Sequence, residues 1–131
     1  MKIEAVVLCL ACLISVGFQL GLAIGFPWGE WAMGGRFPGR WPLQLRFVAF
    51  AQGLMLAGIG VLVFSSVPLA AGLSPEFQNL GRQSRPWIFI FMIVAAVLNT
   101  ITPSRKERRL WGPITWLMAL SAGTMFFLEK A

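Results

Sequence analysis

The chain has 131 residues, of which 57% are hydrophobic and 12% charged, with a net charge of +6 and a mean hydropathy of +0.74. A soluble domain carries about a quarter charged residues, so this composition excludes an ordinary water-facing surface. There is no His and no Asp, and all five acids are Glu, which removes imidazole bases, His-ligated metals, Walker B carboxylates, aspartyl phosphates and EF-hand loops.

Four apolar runs follow in order, over about 5–25, 45–67, 86–102 and 108–128. A helix needs roughly 20 residues to cross a ~30 Å hydrocarbon core. The reading is therefore all-α: an integral membrane four-helix bundle, formed as one transmembrane domain. The third run, between Pro86 and Pro103, is at the short limit, and Arg82 and Arg85 are placed to snorkel and lengthen it.

The first run lacks charge, and its start, Met1-Lys2-Ile3-Glu4, is nearly balanced. Its apolar stretch exceeds the ~7–15 residues of a signal peptide, so it reads as a retained span. Gly17, Gly21 and Gly25 form a small-residue stripe on it, and the second helix carries Ala49, Gly53 and Ala57. Such stripes serve packing inside one bundle, or assembly into a homo-oligomer or larger membrane complex. Cys9-x-x-Cys12 lies in the same apolar helix, where a thiolate is disfavoured, so both read as small core residues.

The first loop, Gly25 to Gln44, holds three prolines, five glycines and Trp28, Trp31 and Trp41. This predicts a turning, defined loop with its indoles at the membrane surface. Glu30 has Arg36, Arg40 and Arg46 nearby, and Glu107 sits on the same face with Arg105 and Arg108, so cross-loop ion pairs are the plain expectation. The sharper reading of Arg36, Arg40 and Arg46 is a site for an anion, anionic lipid or partner protein. Nothing here is a nucleotide loop, and nucleic-acid binding is not expected.

Farther on, Ser74-Pro75-Glu76 predicts a helix start, with Gly81 ending a short interfacial helix over Pro75–Leu80. Ser104-x-x-Glu107 fits a capping box that opens the fourth helix, which enters the membrane near Trp111 and carries Pro113 inside. Gln19, Gln52, Asn99 and Thr115 fall at similar depth and predict a shared intramembrane hydrogen-bond layer. Seven Lys or Arg flank loops one and three, against Lys2, Arg82, Arg85 and Lys130 at the other side, which places those two loops in the cytoplasm.

Two segments, PWGEWAMGGRFPGRWPLQLR (27–46) and NTITPSRKERRLWGP (99–113), give the chain a likeness. It resembles small bacterial integral membrane proteins with four predicted spans, in which a Trp/Gly/Pro/Arg-rich first loop accompanies an S-R-x-E-R-x-x-W-x-P segment. The resemblance implies the bacterial inner membrane, and it brings no reaction, cofactor, metal or catalytic residue. It singles out Arg36, Pro38, Gly39, Arg46, Ser104, Glu107, Arg108, Trp111 and Pro113. The expected function is non-catalytic: an accessory protein docking on membrane partners or lipid. The alternative is a small oligomeric channel or transporter for an anion or amphiphile.

Overall fold

Four helices account for the four apolar runs. The computed structural model describes residues 3–128, so Lys2, Glu129 and Lys130 lie outside the described residues. Helix α1 spans Ile3–Ile24, α2 Leu43–Ser65, α3 Pro75–Ile101 and α4 Arg105–Leu128. All four are long and apolar enough to cross a membrane, and no strand occurs among the described residues. The protein is an all-α, multi-pass membrane four-helix bundle.

Local chemistry sets the ends. α1 stops because Gly25 adopts φ +103°, in the left-handed region. The Gly25 N–H then donates to Leu22 O at 3.2 Å and the Phe26 N–H to Gly21 O at 2.9 Å, the paired bonds of a Schellman ending. At the start of α3 the Ser74 hydroxyl accepts the Phe77 N–H at 3.3 Å, with Pro75 in the first turn. The Ser104 hydroxyl likewise accepts the Glu107 N–H, at 3.2 Å, and opens α4, which contains Pro113.

The third span corrects the reading of its sequence. The expected interfacial helix and the short span are one helix of 27 residues, about 40 Å long. Gly81 does not end it. A Cβ there would lie 2.6 Å from Leu62 O and 3.0 Å from Ser66 N, so Gly81 is where α3 crosses the end of α2. Pro86 sits in the helix interior and deprives the Arg82 carbonyl of its usual N–H donor. Arg85, rather than snorkelling, donates to Ser66 O at 2.6 Å and to the Ser66 hydroxyl at 3.3 Å, holding α3 on α2.

The helices alternate in direction and pack chiefly as two hairpins, α1 on α2 and α3 on α4, with α4 also against α1 and α2 against α3. The core between them holds Leu8, Cys12, Val63, Ile88, Met92, Ala96, Met118 and Ala122. A second cluster of Leu22, Ala32, Trp41 and Ala49, flanked by Phe18 and Trp28, lies under the first loop. That second cluster is the floor of the site described next.

Candidate functional site: a basic cap built from two loops

α1 and α3 both end at one face of the bundle, so unpaired carbonyls and the negative ends of two helix dipoles converge there. An arginine meets each. Arg46 Nε donates to Ala23 O at 2.8 Å, at the end of α1. Arg108 Nη2 donates to Thr102 O at 3.0 Å, at the end of α3. These are structural uses of charge, and neither guanidinium pairs with a carboxylate among the described residues.

The first loop folds as two 3-10 turns, Gly29–Trp31 and Met33–Gly35. Gly29 makes the tightest point: its N–H donates to Gly39 O at 3.0 Å, and a Cβ would lie 2.6 Å from Trp41 Nε1. Trp41 Nε1 donates to Phe37 O at 3.0 Å, and the ring is 2% exposed. The expected surface anchor is thus an internal post that props the loop. Trp28 is also turned inward, its ring seated on Gly21 and stacked with Phe18 at 5.8 Å between centroids. Trp87, 72% exposed, faces outward instead.

The short link between α3 and α4 locks onto this loop. Gly34, at φ +70°, turns its N–H to Glu107 Oε2 at 2.9 Å, and the buried Thr102 hydroxyl donates to the same oxygen. The Ser104 hydroxyl donates to Glu30 O at 2.8 Å. Lys106 forms an ion pair with Glu30 and lies 5.7 Å from the Trp31 ring centroid. Gly34 and Gly35 back onto Pro103 and Ser104, where a Cβ would stand at 3.2 and 3.3 Å.

Across the loops Glu30 does find a cation, Lys106, while the expectation for Glu107 is corrected: it also reaches the other loop, but takes the Gly34 N–H and the Thr102 hydroxyl rather than a cation. The capping box is also half made, because the Ser104 N–H turns to the Thr102 hydroxyl at 3.4 Å while Glu107 reaches across to the loop. The glycine turns explain this, since they bring backbone rather than guanidinium groups to Glu107.

Seven cations and two carboxylates give this end +5 of the net +6. Arg46, Lys106 and Arg108 are spent internally. Arg36, Arg40, Arg105 and Arg109 are exposed and form no ion pair among the described residues. Arg40 lies along the end of α1, its Nε 2.8 Å from where a Gly25 Cβ would be.

The intramembrane polar residues do not form a common layer. Asn99 Nδ2 donates to Ala95 O at 2.9 Å, and the Thr115 hydroxyl to Trp111 O at 2.6 Å, each within its own helix. Gln19 turns to α2, its Cβ 3.4 Å from where a Gly53 Cβ would be, and its Oε1 is buried without a hydrogen-bond partner among the described residues. Gln52 is half-buried on the neighbouring helix. Trp111 Nε1 is also buried with no hydrogen-bond partner among the described residues, while its ring meets Phe18 edge-on at 4.8 Å.

The glycine stripe divides as well. Gly21 seats an indole and Gly25 ends the helix, while Gly17 is exposed with nothing within 4 Å of a Cβ. On α2 the close contacts are Gly53 with Gln19 and Gly60 with Cys12. Ala57 lies on the exposed side. Cys12 is buried in the core, and Cys9 Sγ faces Gly60 O at 3.8 Å.

Comparison with protein-family models, with curated proteins and with solved structures returns no match. The likeness drawn from the sequence rests on the two quoted segments. Those segments are the two halves of this cap.

Proposed function

We propose that the chain is a non-catalytic accessory protein of the bacterial inner membrane that docks on other membrane components through its basic cap. One observation carries this reading. The two loops of the cap are tied together through Glu30, Ser104 and Glu107, Arg46 and Arg108 are spent on Ala23 O and Thr102 O, and Arg36, Arg40, Arg105 and Arg109 still stand exposed with no ion pair among the described residues. Exposed guanidinium groups on a fixed frame suit recognition of carboxylate or phosphate oxygens. The Lys and Arg bias of loops one and three supports a cytoplasmic position for the cap. A channel or transporter draws less support, because Asn99 and Thr115 spend their hydrogen bonds on their own helices.

A photo-crosslinking amino acid placed at Phe37, beside Arg36, tests the reading in the native membrane, with Val61 on the exposed face of α2 as control. The expected result is an adduct of discrete mass from position 37 that Arg36→Glu with Arg40→Glu abolishes. No adduct at 37, or the same products as at 61, overturns it.

A further inference from the structure

The exposed arginines are not equivalent. Arg36 and Arg40 belong to the loop, whereas Arg105 and Arg109 are one turn apart on α4, just above the point where that helix becomes apolar. At about 100° per residue, Arg105, Arg109, Pro113, Trp116 and Leu120 fall within an arc of roughly 80°. All five are exposed, while Trp111, Thr115, Met118 and Ala122 occupy the opposite, buried side. The outer face of α4 is thus a strip with two free cations at its head and aromatic and aliphatic surface beneath.

The strip is also firm. Trp116 Nε1 donates to the Thr100 hydroxyl at 2.8 Å, and that hydroxyl donates to Ala96 O at 2.7 Å, which pins the indole against α3. Proline at 113 leaves only a short ring between Arg109 and Trp116. From Arg109 to Leu120 the helix descends about 16 Å, which matches the passage from a lipid phosphate into its acyl chains.

We propose that this face of α4 binds an anionic glycerophospholipid. Arg105 and Arg109 hold the headgroup phosphate, and Pro113, Trp116 and Leu120 pack along an acyl chain. The assignment rests on the docking reading above and names one of the components docked. Charge complementarity selects the occupant: two unpaired guanidinium groups at the membrane surface, directly over an apolar strip, fit a molecule that joins an anion to a hydrocarbon tail. The remaining cations on this helix, Lys106 and Arg108, are committed to Glu30 and Thr102 O, so the pair at 105 and 109 is what is left to bind.

The test is a native mass-spectrometry titration of the full chain in mild detergent with dioleoyl phosphatidylglycerol and, separately, dioleoyl phosphatidylcholine. The wild type is expected to retain phosphatidylglycerol selectively. Arg105→Gln should weaken it about fivefold, and Arg105→Gln with Arg109→Gln roughly 25- to 30-fold, since each such charge near the surface contributes a similar factor. Arg36→Gln with Arg40→Gln removes the same charge from the loop and should change retention less than twofold. Circular dichroism and size-exclusion profiles confirm that each variant is folded. Equal retention of the two lipids, no loss in the 105/109 variant, or an equal loss in the 36/40 variant overturns the site. A persisting Phe37 adduct alongside absent lipid selectivity defeats the lipid site alone. Selectivity without that adduct supports the lipid site and removes the cap's other partner.

Discussion

Glu107→Ala removes the contact that joins the two halves of the cap. Two donors lose their acceptor: the Gly34 N–H, 2.9 Å from Oε2, and the buried Thr102 hydroxyl. Hydrogen bonds to charged groups contribute about 1.5–3 kcal/mol each. Glu107 is half-exposed and water can replace part of what is lost, so about 2–3 kcal/mol in total is expected for opening of the loop. That corresponds to a roughly 30- to 150-fold larger open population, and exchange faster by the same factor, at Gly34. Glu107→Gln keeps an acceptor oxygen at the same place and should cost only about 1 kcal/mol. The assay is hydrogen–deuterium exchange of the segment containing Gly34, in detergent or nanodiscs, with a segment of α2 as internal reference. If Gly34 exchanges at the wild-type rate in Glu107→Ala, the carboxylate does not hold the loop and the account of the cap is wrong.

Two further substitutions test the glycine assignments by reversible unfolding in mixed micelles. Gly81→Ala puts a methyl group 2.6 Å from Leu62 O and should destabilise by about 1–3 kcal/mol; a neutral result would mean that α3 does not cross α2 there. Gly17→Ala meets open space and should be neutral or stabilise by up to about 1 kcal/mol. Gly21→Ala, aimed at the Trp28 ring with Cε3 at 2.7 Å, should destabilise and shift the tryptophan emission; equal effects at 17 and 21 would contradict the division of the stripe.

The sequence made the spans legible because apolar length is a local property, and the starts at Ser74 and Ser104 because N-caps act over three residues. The interior of α3 was hidden for the opposite reason. Gly81 and Pro86 look like helix breakers alone, and only the backbone of α2 beside Gly81 explains a glycine within a helix. Cap chemistry was half legible: Glu30, Arg46, Ser104, Glu107 and Arg108 all take part, and Glu30 pairs across the loops, but Arg46 and Arg108 go to helix-end carbonyls and Glu107 to a backbone N–H and a hydroxyl. Gly34 and Glu107 are separated by 73 positions, and a backbone N–H leaves no mark in a sequence. Trp41 was misplaced because tryptophan between loop and helix usually marks an interface, whereas here Phe37 O and the adjacent turn take it inside. The shared polar layer was expected from depth alone, and helix backbones supplied nearer acceptors.

The clasp between Gly34 and Glu107 also bears on how the chain is threaded into its membrane. Without the second hairpin in place, the Gly34 N–H and the Glu30 carbonyl lack their partners. They are met only if the second hairpin arrives with Thr102, Ser104 and Glu107 at the same side. A chain whose second hairpin inserted upside down would have the halves of the clasp on opposite sides of the bilayer, unable to meet. Inverting the entire bundle would leave the clasp intact. The clasp can therefore close only in a molecule whose two hairpins share one orientation, whichever way the molecule faces.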